Sequence, residues 1–250
     1  FGAVVLLPFC FKQVATLFTH LEDGGLVLLI ASVVILIAAI IDFEALRKGK
    51  LAIVEPIWSF EIPVTSILAY VILSEKVSGI ELVLIVLLLI FLVLVAFREN
   101  KFSKKFFLEK GVLLAFLGAA LMGTANFFIG WGSRVTDPIT VNFVTDAFLM
   151  IVCGAILLLR GKGRKTLRDA KQNISTLLPM AIADKIAWLA FAFSMALAPI
   201  AISTALSESY IIIAVILGMA VNKEKLHKHQ KVGMVGAVIV AIVLAVISSN

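Results

Sequence analysis

Five ionisable residues lie inside long apolar stretches of this 250-residue sequence. They are Glu61, Asp146, Asp184, Lys185 and Glu208. A charged side chain at the centre of a membrane-spanning helix costs about 2.5–3.5 kcal/mol on insertion, so such residues are expected to face a wet cavity or one another. They are therefore the main candidates for binding a charged substrate or an ion.

Polar and aromatic residues share helix faces with these charges. Asn142 and Asp146 are four residues apart, as are Asp184 and Trp188, and side chains at this spacing lie on one face of a helix. Further candidates for lining a cavity are Asn126, Trp131 and Tyr210. Carboxylates, amides and aromatic rings suit an ammonium-bearing substrate. The ammonium group of Lys185 suits a substrate carboxylate, which favours a zwitterion, and buried carboxylates make the proton a candidate coupling ion.

For some of these charged residues, a purely structural role is an alternative to binding a substrate or an ion. Asp184 and Lys185 are neighbours in sequence and cannot face each other on one helix, so the alternative for either is an ion pair with another span. Asp42, Glu44 and Glu55 lie near the predicted cytoplasmic ends of spans. For these three carboxylates we expect snorkelling, or pairing with Arg47 and Lys48. Tyr210 is expected in a cavity or in packing and has no catalytic assignment.

The composition excludes most classes of soluble protein. Hydrophobic residues make up 62% of the chain and charged residues 15%, whereas a soluble domain is about half apolar and about a quarter charged. The two cysteines, Cys10 and Cys153, lie in apolar runs and predict no disulfide framework. The net charge of +6 comes from short basic loops, which indicate membrane topology rather than nucleic-acid binding. The composition therefore predicts a polytopic membrane protein.

Apolar segments recur along the whole chain. A membrane-spanning helix needs about 20 apolar residues, and we predict eight spans: 26–46, 52–74, 79–97, 111–133, 139–160, 174–196, 199–222 and 231–248. Residues 1–11 are too short to span and resemble the end of a ninth. Because a single lipid-facing strand cannot satisfy its backbone in a bilayer, all spans are predicted to be helices.

An internal repeat relates the two halves. Residues 51–97 align with residues 200–246 at a constant offset of 149, and the second unit begins near Gly111. This predicts ten helices in two five-helix repeats, of which about eight and a half lie in this sequence. The predicted repeats are 1–98, truncated at its N-terminus, and 111–248. An odd number of helices per repeat predicts that the two repeats have inverted orientations in the membrane.

The basic residues support that orientation. Of the 22 lysines and arginines, 18 lie in the loops that follow every second predicted span, and three lie in the other loops. Basic loops face the cytoplasm. This distribution predicts a multi-pass protein of the cell (plasma or inner) membrane with its C-terminus outside.

Residues 44–97, EALRKGKLAIVEPIWSFEIPVTSILAYVILSEKVSGIELVLIVLLLIFLVLVAF, resemble the end of an EamA repeat. They contain an Ala-Leu pair, a small-residue turn, a proline-containing helix, a Glu-Lys turn and a final Gly- and Leu-rich helix. The stretch from Ser194 to Ser248 resembles a second copy, with Ala205 in place of Pro56. The resemblance implies the drug/metabolite transporter superfamily: ten helices in two inverted repeats around a central cavity, and export or exchange of small metabolites such as amino acids. That family is generally pictured with its C-terminus in the cytoplasm.

These observations predict an all-α, ten-helix secondary transporter that exports a small polar or zwitterionic metabolite, amino-acid-like or an amine, by alternating access. The sequence contains no HExxH, GxSxG or Walker motif. We therefore expect no enzymatic activity, metal or cofactor, with a small molecule and the lipid bilayer as partners and no nucleic acid. No oligomeric state is predicted. Two alternatives are a membrane scaffold and a membrane enzyme acting on a lipid-like substrate.

Overall fold

The computed structural model describes residues 1–19, 24–49, 54, 57–96, 110–222 and 227–248. In chain order, the helices of these residues are α1 (Gly2–Thr19), α2 (Gly25–Lys48), α3 (Glu61–Leu73), α4 (Gly79–Ala96), α5 (Lys110–Val135), α6 (Pro138–Leu159), α7 (Gly163–Gln172), α8 (Ile174–Leu197), α9 (Ile200–Ser207), α10 (Tyr210–Asn222) and α11 (Lys228–Ser248). No described residue lies in a β-strand. The all-α prediction is confirmed.

Six segments of the described chain are long and apolar enough to cross a membrane. They are Gly25–Lys48, Gly111–Val135, Pro138–Leu159, Ile174–Leu197, Ile200–Leu217 and Lys228–Ser248. Shorter apolar helices occupy Gly2–Val14, Glu61–Leu73 and Gly79–Val95. Many large apolar side chains on these helices are exposed, as lipid contact requires. The protein is an all-α polytopic membrane protein.

Two helices differ from the predicted spans. The first, α1, extends to Thr19, well beyond the predicted 1–11, because polar residues after Phe11 do not end a helix that began in an apolar run. The second, α7, lies in a basic loop and has no buried residue. Its residues favour a helix although they have no core to pack against.

The chain divides into two compact units. Unit 1 comprises Phe1–Leu36 and Phe128–Leu197, and in it α6 packs against both α1 and α8. The start of α6 is fixed by Asp137, whose carboxylate accepts hydrogen bonds from the backbone N–H groups of the next turn, and by proline at the first helical position. This capping fixes the residue at which α6 begins.

Unit 2 comprises Ile37–Phe127 and Ala198–Asn250. In it α4 packs along α11, and α3 packs against α9. Its apolar core includes the fully buried side chains of Leu88, Leu92 and Leu244. Gln230 is 3% exposed, and its Nε2 donates a hydrogen bond to the backbone carbonyl of Val95 at 2.9 Å. A buried polar side chain thus fixes α11 along α4.

Two predicted spans are interrupted. Residues 52–74 were predicted to form one helix, but a turn at Ser59 and Phe60 precedes α3. Residues 199–222 were also predicted to be continuous, but a turn at Glu208 and Ser209 separates α9 from α10. The segment Ile200–Leu217 is still long and apolar enough to cross a membrane. The interruptions were not predicted because neither turn contains proline or glycine, and apolar residues continue on either side.

The two turns share two backbone hydrogen bonds at equivalent positions. Both run from residue i to residue i−3 and are tighter than those of an α-helix. The four shared bonds run from Phe60 N to Ile57 O (3.0 Å), Ile62 N to Ser59 O (3.2 Å), Ser209 N to Leu206 O (3.1 Å) and Ile211 N to Glu208 O (3.3 Å). The second pair of bonds lies 149 residues after the first, which is the offset of the sequence repeat. The second turn has a third such bond, from Ile212 N to Ser209 O at 3.0 Å, whose equivalent is impossible at Pro63 because proline has no N–H.

The helix bounds follow the same offset. The helices α2, α3 and α4 begin 149 residues before α8, α10 and α11, respectively. The first two of these pairs also end 149 residues apart. Equivalent positions in the two halves of the sequence therefore begin and interrupt helices in the same way.

Candidate functional site

Lys185 of α8 forms an ion pair with Asp146 of α6 in unit 1. The Nζ atom of Lys185 lies 2.7 Å from Oδ2 of Asp146 and donates to Oδ1 of Asn142 at 3.4 Å. Lys185 is 8% exposed and Asn142 is 5% exposed. The attraction between the two charges is stronger in this mostly buried position than it would be in water. The packing of α6 against α8 thus brings three of the predicted site residues together.

The orientation of the Asn142 amide follows from its own helix. Its Nδ2 atom donates to the backbone carbonyl of Pro138 at 2.9 Å, one turn earlier. Because the N–H group is used within α6, the amide oxygen is left facing Lys185. The start of α6 therefore helps to position an acceptor for the ammonium group.

A cavity of about 100 Å³ borders this ion pair. Its polar lining comes from Asn142, Thr145, Asp146, Asp184 and Lys185, and Trp188 contributes an aromatic wall. Asp184 and Lys185 both line the cavity although they are neighbours on α8. A second cavity of about 400 Å³ shares Asp146, Asp184 and Lys185. Carboxylates and an ammonium group thus line the same two cavities.

Gly2 of α1 contacts the ion pair directly. A Cβ atom at this position would overlap the carboxylate of Asp146 and lie 2.5 Å from Cε of Lys185. Any larger residue would displace one of the two charged side chains. The close approach of α1 therefore depends on glycine, a requirement that hydropathy alone does not show.

The tryptophans have different surroundings. Trp188 contacts Phe191 edge to face, with ring centroids 6.0 Å apart, and lines the cavity of unit 1. Trp131 stacks with Phe128, also at 6.0 Å, and is not among the residues that line the two cavities. Of the two predicted cavity tryptophans, the structure brings only Trp188 to the charged cluster.

A second polar group lies in unit 2, where α3 begins. The Nδ2 atom of Asn126 donates to Oε2 of Glu61 at 3.0 Å, and the two residues are 3% and 9% exposed. The hydroxyl of Thr65 donates to the carbonyl of Gly123 at 2.8 Å. A Cβ atom at Gly123 would lie 2.7 Å from the carbonyl oxygen of Glu61. Glycine thus allows the first turn of α3 to pack directly on α5.

Glu208 and Asp42 add negative charge to this region of unit 2. Glu208 is 8% exposed in the turn between α9 and α10, and both carboxylates are close enough to interact electrostatically with Glu61. Tyr210 follows at the start of α10 and is 44% exposed. Apart from Trp131 and the exposed Tyr210, the predicted site residues therefore fall into one group in each unit.

Of the three carboxylates expected near the cytoplasm, Glu55 lies outside the described residues, and the other two behave differently. Glu44 forms ion pairs with Arg47 at 2.7 Å and Lys48 at 2.6 Å, as predicted. Asp42 does not pair with them: one of its carboxylate oxygens occupies the space that a side chain at Gly118 would fill. The expectation for Asp42 was wrong because glycine on α5 opens a place for its carboxylate inside unit 2.

Comparison with known proteins gives one family. Residues 109–246 match the model of the EamA-like transporter family. No curated protein matches the chain. The matched segment covers more than half of the sequence and contains every candidate site residue except Glu61.

Proposed function

The chain belongs to the EamA-like transporter family, and from this premise we propose that it is a secondary transporter for a small polar or zwitterionic metabolite, either amino-acid-like or an amine. The proposed direction is export, and the proposed location is the cell membrane. The observation that carries this proposal is the Lys185–Asp146 pair beside a cavity in unit 1. It supports a site that recognises both signs of charge.

The chemistry of the pair fits a zwitterion. Burying two charges is costly even when they are paired, so their presence calls for a function or a strong structural need. A zwitterion carries the same two charges, so it can separate the pair and give each of the two residues a new partner of opposite charge. Its carboxylate would bind Lys185, and its ammonium group would bind Asp146 or Asp184, with Trp188 offering cation–π contact.

The proposed mechanism is alternating access, in which two repeats move relative to each other about a site near the middle of the membrane. We assign the first repeat to residues 1–98 and the second to residues 111–248. The 149-residue offset between helix bounds, and the matching turns, support this division. Inverted repeats of this kind expose one site to each side of the membrane in turn.

Thermal stability of the purified protein with a panel of amino acids, amines, nucleosides and organic acids tests the proposal. A ligand present at 100 times its Kd stabilises the native state by about 2.7 kcal/mol. We expect amino acids or amines to raise the Tm of the wild type. Lys185→Gln should lose the shift given by amino acids, whereas Lys171→Gln, the same change on the exposed helix α7, should keep it.

The panel also separates the alternatives. A shift given by amines alone and unaffected by Lys185→Gln would identify an amine substrate bound by the carboxylates. If no compound stabilises the wild type, the zwitterion site is contradicted, and a scaffold or a lipid-like substrate becomes the better interpretation.

A further inference from the structure

The helix α7 joins two long apolar helices of unit 1 and has no buried residue. The helix before it, α6, ends at Leu159, and the helix after it, α8, begins at Ile174. Both neighbours are long and apolar enough to cross a membrane. A segment that joins two consecutive spans has to lie on the side of the membrane where the first ends and the second begins. The helix α7 therefore belongs at one membrane surface.

The connections of α7 to these spans are short. After α6, the N–H group of Gly161 donates to the carbonyl of Leu158 at 2.9 Å. The N–H group of Lys162 donates to the carbonyl of Leu157 at 3.0 Å, and Gly161 has a φ of +63°. This is the Schellman pattern, in which a glycine in the left-handed region ends a helix. On the other side, Asn173 alone separates α7 from α8. Because both ends of this 10-residue helix are tied to spans, it stays at the level of the lipid headgroups.

The side chains of α7 are segregated by polarity. Positions i, i+3, i+4 and i+7 share one face of a helix. In α7 these positions hold its least polar residues, Gly163, Thr166, Leu167 and Ala170. The other side of the helix holds the basic residues Arg164, Lys165, Arg168 and Lys171. Leu167 is 60% exposed, so the described residues leave the largest side chain of the apolar face uncovered.

The positive charges of α7 are not neutralised by the chain itself. In the part of the chain that the structure describes, none of its four basic residues forms an ion pair. Asp169 is the single acidic residue of α7, and Arg160 and Lys162 add two positive charges directly before the helix. The positive-inside rule explains how many basic residues the loop has, but it does not explain why they lie on one side of a helix. A helix with one basic and one apolar side is typical of helices that lie in the plane of a membrane interface.

We propose that α7 is an interfacial helix that binds anionic phospholipids. The ammonium and guanidinium groups of its basic side donate to lipid phosphates, and Leu167 inserts between the acyl chains close to the headgroups. Basic loops face the cytoplasm, and the cytoplasmic leaflet carries the anionic lipids. A lipid fits better than an acidic protein or a nucleic acid because the two neighbouring spans hold α7 at the bilayer. This inference does not depend on which metabolite is transported.

The first test is native mass spectrometry of the full chain in detergent, titrated with phosphatidylglycerol or with phosphatidylcholine of the same acyl chains. We expect phosphatidylglycerol to bind more tightly. Lys165→Gln combined with Lys171→Gln should weaken its binding at least about fivefold, which is the equivalent of the about 1 kcal/mol that one basic residue contributes near an anionic surface. Equal binding of the two lipids to the wild type would overturn the inference.

Lys228→Gln combined with Lys231→Gln is the matched control. It makes the same two changes at exposed positions of another predicted cytoplasmic segment, the start of α11. This variant should bind phosphatidylglycerol as the wild type does. If the two double variants lose affinity equally, the total charge of the protein rather than α7 attracts the lipid, and the inference fails.

The second test distinguishes a lipid from a soluble acidic partner. The full chain with Cys10→Ala and Cys153→Ala, in nanodiscs of phosphatidylcholine and phosphatidylglycerol, receives a nitroxide at Leu167→Cys or at Lys165→Cys. Oxygen, which concentrates among the acyl chains, should relax the label at 167 more than a water-soluble nickel complex does. The label at 165, on the basic side, should show the reverse. If nickel reaches both labels equally, α7 stands in water, and an acidic soluble partner becomes the better interpretation.

These outcomes are separate from those of the metabolite panel. No residue of α7 is among those that line the two cavities of unit 1. The loss of lipid binding by α7 would therefore leave the proposed zwitterion site as it is, and the absence of a metabolite shift would leave the lipid measurements unchanged.

Discussion

Lys185 has a carboxylate and an amide oxygen as its partners. These contacts determine how much stability the protein should lose when Lys185 is replaced. Lys185→Met leaves Asp146 without its counter-charge in an apolar bundle. Breaking a buried ion pair from one side costs about 3–5 kcal/mol. We expect the lower end of that range, because the side chain of Asp146 is 21% exposed. Thermal unfolding of the purified variant measures the loss.

The double variant Lys185→Met with Asp146→Asn is the matched control. It removes both charges, so most of the lost stability should return. A double variant as unstable as Lys185→Met alone would show that packing around the lysine stem, rather than the charge of Asp146, determines the effect.

Sequence reasoning identified the members of this cluster but not their pairing. Helical spacing places Asn142 and Asp146 on one face of α6, and the insertion cost of Lys185 marks it as unusual. Which helix faces α8 is tertiary information that no local pattern carries. The structure shows the ion pair with another span that was the alternative for Lys185, and the cavity beside the pair makes it compatible with a binding role.

At the scale of helices, hydropathy predicted the existence of the spans well and their continuity poorly. The interruption at Glu208 and Ser209 contains no glycine or proline that would have predicted it, and a single acidic residue does not end an apolar pattern. The offset of 149 was nevertheless visible in sequence, and both interruptions obey it. Knowing one turn would therefore have predicted the other.

Glycines within the helices differ in whether a Cβ atom would have space, and this difference gives a prediction about α11. A Cβ atom at Gly233 would lie 2.8 Å from the backbone oxygen of Phe91 and 2.9 Å from Cβ of Leu94, whereas one at Gly154 of α6 would meet nothing within 4 Å. Gly233→Ala should therefore force α11 away from α4 and cost about 1–3 kcal/mol. Thermal unfolding measures this change.

Gly154→Ala is the control, because the substitution is the same but its site is open. Alanine favours a helix over glycine by up to about 1 kcal/mol, so this variant should be unchanged or more stable. Equal effects at the two positions would contradict the close packing of α11 on α4.

For the whole molecule, composition was sufficient for the class, and the resemblance of residues 44–97 to an EamA repeat indicated the family. A chain that is 62% hydrophobic and 15% charged has to bury its helices in lipid, and the helical structure and the EamA match agree with that reading. The division into repeats at 1–98 and 111–248, and their inverted orientation, remain our proposals. They depend on which side of the membrane each loop occupies, which helix bounds do not determine.

The distribution of basic residues makes that orientation testable. With 18 of the 22 lysines and arginines in alternate loops, the positive-inside rule places the C-terminus outside the cell. A cysteine added after Asn250, in a chain with Cys10→Ala and Cys153→Ala, should react with a membrane-impermeant maleimide in intact cells. Lys171→Cys, in a basic loop, should react only once the membrane is opened. Labelling of the added cysteine from the cytoplasmic side alone would contradict the charge count, and the chain would then have the orientation generally pictured for its family.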